Sequence, residues 1–185
     1  MSDDSRSDAL ERTLEGFDRA SIAAALAEAE AERKQVLERF PIAAWPELPL
    51  ERYALGQEDS EETYCRWLEF RTQHLGSMRG GSARKLIIYK HRNKPGWYFD
   101  QATFDSVEAA WEAVRAAFVR AIELAGRSAW EEIDTLKELR SGPALLLKTL
   151  HIYCPSDVLP VYSQAHIRQF LRTLGSSTGR VSETL

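Results

Sequence analysis

From position 107 to 122 the apolar residues Val107, Trp111, Val114, Phe118 and Ile122 recur at intervals of three and four, which places them along one side of an α-helix. Such a stripe gives no stable structure alone; other parts of the chain must cover it. Asp105 with Glu108 supplies a capping-box pattern ahead of the helix, and Gly126 supplies a stop. Similar periodicity predicts a helix over residues 21–40, where Ile22, Leu26, Ala29, Val36, Leu37 and Phe40 recur before Pro41. Residues 60–75 read as a second helix, with Tyr64, Trp67, Leu68, Arg71 and Leu75 on one side and Gly76 as the stop. Further helices are predicted over residues 129–139, 143–151 and 163–174. Residues 41–50 carry three prolines around Trp45 and are predicted to cross the surface as an extended connection, ahead of a short segment over 51–55.

One region reads differently. Residues 84–91 centre on Leu86, Ile87, Ile88 and Tyr89, a β-branched and aromatic run, and Asn93-Lys94-Pro95-Gly96 is turn chemistry leading into Trp97, Tyr98 and Phe99. These signals predict a β-hairpin. The expected fold is therefore α+β: a helix-rich single domain over residues 21–175, packed around a small antiparallel sheet, with an N-terminal helix. Residues 1–20 read as a polar segment with a short apolar spacing at Leu10, Leu14 and Phe17. Residues 176–185 read as a tail or linker start, as expected of one module in a longer system.

At 185 residues the chain is long enough to bury a hydrophobic core. No apolar run approaches the roughly 20 residues of a membrane-spanning helix. The acidic, polar start lacks the apolar core of a signal peptide, so a cytoplasmic location is expected. Cys65 and Cys154 stand far apart in apolar surroundings, which suits reduced, buried thiols.

Several chemistries find no support. Gly76 to Gly81 has the spacing of a phosphate-binding loop, but Ser82 stands where the lysine belongs and the loop follows a helix. His151 and Cys154 have a metal-like spacing without a second pair to complete a zinc site. The Glu32 to Lys34 pair lies inside a helix and is expected to face solvent, not to form a nuclease centre. Glu61 with Glu62, and Glu131 with Glu132, read as capping and solvating carboxylates. No catalytic residue, metal or cofactor is expected, and the chain is expected not to be an enzyme.

Residues 70–99 stand apart because they hold Arg71, Arg79, Arg84, Lys85, Lys90, Arg92 and Lys94 without one Asp or Glu, in a chain of net charge −4. Basic side chains on a glycine loop and hairpin can neutralise phosphates, free backbone N–H groups at Gly80 and Gly81 can add contacts, and aromatics can stack on an unpaired base. The other reading is a solvated hairpin that happens to be basic, with Tyr89, Trp97 and Phe99 filling the core.

The run from Tyr64 to Thr72, followed by Leu75-Gly-Ser-Met-Arg-Gly-Gly-Ser-Ala-Arg-Lys-Leu-Ile-Ile-Tyr89, resembles the N-terminal region of McrB-like proteins of modification-dependent restriction systems. The likeness extends more loosely to Arg39-Phe-Pro41, Leu50-Glu-Arg-Tyr53, Leu150-His-Ile-Tyr-Cys-Pro155, Leu159-Pro-Val-Tyr162 and Phe170-Leu-Arg-Thr-Leu-Gly175. It implies a domain that recognises DNA, often at a modified base, beside an AAA+ motor that communicates with a nuclease subunit. The motor's phosphate-binding loop and acidic metal-binding strand are absent from these residues, so the resemblance implies the recognition function alone. The local charge pattern together with the resemblance selects Arg79, Gly80, Gly81, Ser82, Arg84, Lys85, Lys90, Arg92 and Lys94 for the backbone, with Trp97 or Tyr98 to stack on a displaced base. The competing expectation is a protein-interaction module that docks on a motor or nuclease subunit through Trp45 and the N-terminal helix.

Overall fold

The helix read from the 107–122 stripe packs against the 42–47 turn, the 130–139 pieces and the helix that starts at Pro143. A computed structural model describes residues 15–56, 60–91 and 95–173. Residues 1–14, the tail over 176–185, and Arg92, Asn93 and Lys94 lie outside the described residues. The main elements are α1 (Ala23–Arg39), α2 (Leu50–Tyr53), α3 (Tyr64–Arg66), β1 (Tyr89–Lys90), β2 (Trp97–Tyr98), α4 (Val107–Ala125), α5 (Trp130–Ile133), α6 (Pro143–Tyr153) and α7 (Gln164–Thr173). The fold is α+β and helix-rich, with a small two-stranded antiparallel sheet in which Tyr89 pairs with Tyr98 and Lys90 with Trp97.

Helix α4 starts at Ser106, whose Oγ accepts a hydrogen bond from Ala109 N at 3.1 Å. The cap is thus one residue later than the Asp105 pattern suggests; both have short acceptor side chains, and the backbone decides which one reaches N3. The helix buries Trp111, Val114, Phe118 and Ile122 as expected, but also Ala110, Ala117, Ala121 and Leu124, because elements pack on more than one of its sides.

Against α4 stands an aromatic cluster. The rings of Tyr53 and Trp111 stack at 4.3 Å, and Trp45 meets Tyr64 edge-on at 4.9 Å. Each polar end is satisfied inside: Tyr53 Oη donates to Leu86 O, Tyr64 Oη to Thr149 Oγ1, Trp45 Nε1 to Tyr153 Oη and Trp111 Nε1 to Leu48 O. Without such a partner each buried group would cost about 1–3 kcal/mol. Burial raises the phenols of Tyr53 and Tyr64 well above their usual range, so both stay protonated donors. Cys65 and Cys154 are free thiols, and burial raises both.

Several expectations are corrected. The 41–50 connection is not extended: Ile42–Glu47 forms a 3-10 turn that carries Trp45 into the core, fully buried. Trp45 is therefore no docking anchor. In α1 only Val36 is buried, while Ile22 and Leu26 are exposed, because the N-terminal half of the helix lacks a cover among the described residues. The second helix begins at Thr63, whose Oγ1 accepts from Arg66 N, and ends in a π-turn (Trp67–Arg71) instead of reaching Leu75. Thr72 Oγ1 closes it by donating to Leu68 O at 3.0 Å. The helix predicted over 129–139 is two short pieces, α5 and a 3-10 turn at Lys137–Leu139.

The hairpin is shorter than its apolar run. Ala83–Leu86 winds into a 3-10 turn, and Leu86, Ile87 and Ile88 are all buried, so no alternation between two faces exists there. Ile87 sits at φ 65° and ψ −57°, the centre of a γ-turn closed by Ile88 N donating to Leu86 O at 2.7 Å. A β-branched residue in this region is strained, and its neighbours must hold it there. Gly142 is one of them: a Cβ at this position would lie 2.5 Å from Lys85 O and 2.6 Å from Ile87 Cγ1. Gly142→Ala is expected to destabilise the protein by about 1–3 kcal/mol through this overpacking, measured as a lower urea midpoint with an unchanged slope.

Candidate nucleic-acid interface

The segment from Thr72 to Gly80 links the π-turn to the hairpin region, and three side chains from elsewhere fix its backbone. Lys148, on α6, is 1% exposed, and its Nζ donates to Thr72 O at 2.7 Å and Gly76 O at 2.6 Å. Lys85 Nζ donates to Met78 O at 2.7 Å and Gly80 O at 2.6 Å, and also to Glu69 Oε1 at 2.8 Å. Glu32, on α1, receives Gln73 N and Leu75 N, each at 3.1 Å, and lies 2.8 Å from His74 Nδ1. The four carbonyls of residues 72, 76, 78 and 80 are thus drawn toward two ammonium groups.

The opposite side of this arrangement is a set of free amides. Gly80 and Gly81 sit at φ 84° and 70°, and a Cβ on either would meet nothing within 4 Å. Their N–H groups have no acceptor among the described residues. Ser82 is exposed and its Oγ accepts from Arg84 N. Backbone amides left open on a glycine turn form a ready anion-binding surface. Gly76 instead allows close packing: it lies at φ 87°, and a Cβ there would come within 2.9 Å of both Pro160 O and the Tyr162 ring.

Exposed cations flank the amides. Arg79 donates through Nε to Glu69 O and through Nη2 to Phe70 O, both at 3.3 Å, which fixes its stem and leaves further N–H donors free. The Arg84 guanidinium lies 5.7 Å from the Tyr98 ring and joins the loop to the hairpin. Lys90 is exposed on β1, and neither it nor Arg84 pairs with a carboxylate among the described residues.

The structure brings together Arg79, Gly80, Gly81, Ser82 and Arg84, places Lys90 as an exposed residue of strand β1, and reassigns the others. Lys85 is not a surface phosphate contact; its ammonium is spent on Glu69 and two carbonyls. Tyr98 is half-buried and stacks on Tyr89 at 4.7 Å, and Trp97 is half-buried against the core, so neither ring stands free as a platform. Arg92 and Lys94 lie outside the described residues. Glu32 does not face solvent; its side chain is 15% exposed and caps the loop.

Sequence reasoning missed Lys148. Its signal is the interruption of the apolar run Leu145-Leu146-Leu147 by a lysine on the same helical face as Leu145 and Ile152, both fully buried. Burial pushes its ammonium down to about 7, with Glu32 and Glu69 opposing and Arg79 assisting the shift. Its other neighbour is the Tyr162 ring at 5.6 Å. Among the described residues no cluster of His, Cys, Asp or Glu is arranged to hold a metal ion, and no helix is long and apolar enough to cross a membrane. No family model, curated protein or solved structure matches this chain.

Lys148 makes stability depend on pH in a defined direction. Its folded-state value of about 7 lies below the 10.5 of a free lysine, so between these limits the unfolded chain binds the extra proton. Its contribution is constant below about 7 and becomes more favourable as pH rises toward 10.5. Urea unfolding of the wild type and Lys148→Met across that window should show the difference moving in the wild type's favour with pH.

Proposed function

We propose that this chain is a non-catalytic DNA-recognition domain, acting in the cytoplasm, whose Gly80–Gly81 loop and flanking arginines grip the phosphate backbone. The observation that carries the reading is the loop's polarity: Lys148 and Lys85 hold its carbonyls while the Gly80 and Gly81 amides stay open between Arg79 and Arg84. An anion is the complementary ligand, and a run of phosphates satisfies several such donors at once. The McrB-like resemblance of the same residues favours DNA among polyanions, and it favours a role beside an AAA+ motor and a nuclease subunit in a restriction system.

Backbone contacts position a duplex without reading it, so this face supplies affinity and register. Discrimination of a modified base would come from groups beyond the loop. Lys85 serves the reading indirectly, by holding the loop's shape.

Fluorescence anisotropy with a labelled duplex, between about 50 and 200 mM salt, tests the proposal. Arg79→Ala with Arg84→Ala should weaken binding and lower the logarithmic salt slope by about 1.8, at about 0.9 per lost phosphate contact. Gly81→Ala, which strains a left-handed residue without crowding a neighbour, should weaken binding with little change in the far-UV spectrum. Wild-type binding that is absent, or indifferent to both changes, would overturn the reading.

A further inference from the structure

Away from the basic face, α7 stands beside an apolar groove of about 610 Å³. Its floor is formed by Ile133, Leu146 and Leu150, and one wall by Ile167, Phe170 and Leu171. Phe170 remains 57% exposed, and Leu159 at the groove's edge 77% exposed. Such residues standing together mark a surface that another element covers.

The charge around the groove says what that element carries. Glu131, Asp134 and Asp157 line it, and none has a cationic partner among the described residues. Burial, and then the neighbouring Glu131, raise the Asp134 carboxyl, so a cation brought to this rim would find acceptors lacking a counter-charge. The required occupant is an amphipathic helix with apolar anchors at i, i+3 and i+4 and basic residues beside them.

This chain contains that helix. In α7, Ile167, Phe170 and Leu171 have the anchor spacing, and His166, Arg168 and Arg172 are exposed. Neither arginine pairs with a carboxylate among the described residues. Ile167 and Leu171 are half-buried on the wall of their own groove, whereas Phe170 is left to the outside.

We propose that the groove receives α7 of a second copy of this chain, in an isologous dimer in which each Phe170 enters the other copy's groove and Arg168 and Arg172 meet its acidic rim. Helix and groove are neighbours in one chain, so a two-fold axis beside them makes both contacts at once. The match is of charge as well as apolar surface, so the dimer weakens with salt.

Light scattering on the full chain at high micromolar concentration tests this. The wild type should show a mass near twice 21.0 kDa. Arg168→Glu with Arg172→Glu, and separately Glu131→Lys with Asp134→Lys, should each give a monomer, since each homodimer would then oppose like charges. An equimolar mixture of the two variants should recover the dimer, because both contacts in the mixed pair are complementary again. Phe170→Ser should remove the dimer without changing any charge, and near-UV circular dichroism should show the native aromatic signal in all variants. A monomeric wild type overturns the proposal, as it would if another protein or residues 174–185 covered the groove. Variants that remain dimeric, or a mixture that stays monomeric, overturn it as well.

Discussion

A lysine ammonium inside the core, in no salt bridge among the described residues, is the constraint to which the surrounding chain conforms. Charge taken out of water must be resolvated by protein, and for Lys148 the ligands are the carbonyls of Thr72 and Gly76. Those carbonyls end a π-turn and enter a left-handed glycine, so the backbone there is shaped to face inward. Lys85 repeats the device two and four residues later with a carboxylate to balance it. An amide plane that turns its oxygen inward turns the N–H of the next residue outward, so the open amide at Gly81 follows from the inward carbonyl of Gly80.

The aromatic core supplies the rigidity this arrangement needs. Tyr64 donates to Thr149, the residue after Lys148, and Tyr162 donates to Leu75 O, inside the loop. Tyr53 reaches Leu86 O, just before the strained Ile87. Each ring fills space with its body and holds a backbone or side-chain acceptor with its hydroxyl, which limits how far the loop or the γ-turn can relax. Strain of order 1–3 kcal/mol at Ile87 is tolerable only within such a frame.

What the sequence disclosed follows from how local each cause is. The stripe on α4 and the helix starting at Pro143 depend on neighbours a few residues apart, so both are readable. Arg79, Gly80, Gly81, Ser82 and Arg84 are contiguous or nearly so, and their grouping is likewise visible. The role of Lys85 is not, since a lysine in a basic stretch gives no sign that Glu69 and two carbonyls await it. Lys148 is harder still, because its acceptors lie 76 and 72 residues away in the chain. The burial of Trp45 is hidden for a related reason: three prolines describe a local path and say nothing of the cavity into which that path delivers an indole. The Leu86 to Ile88 run looks like a strand because β-branched residues suit strands, yet burial on every side removes the alternation a strand would show.

The long separation between Lys148 and its acceptors also orders events in time. Closing a chain loop of that length carries an entropic cost, and the Lys148 contacts that help offset it exist only once α6 has docked, so the Thr72 to Gly76 backbone depends on that docking for its final shape. Conversely, a transient opening that lifts α6 releases two carbonyls and disperses the amide array while α4 still has its other partners. The proposed interface is thus tied to complete assembly: a chain in which α6 has not docked lacks the ammonium that shapes the loop.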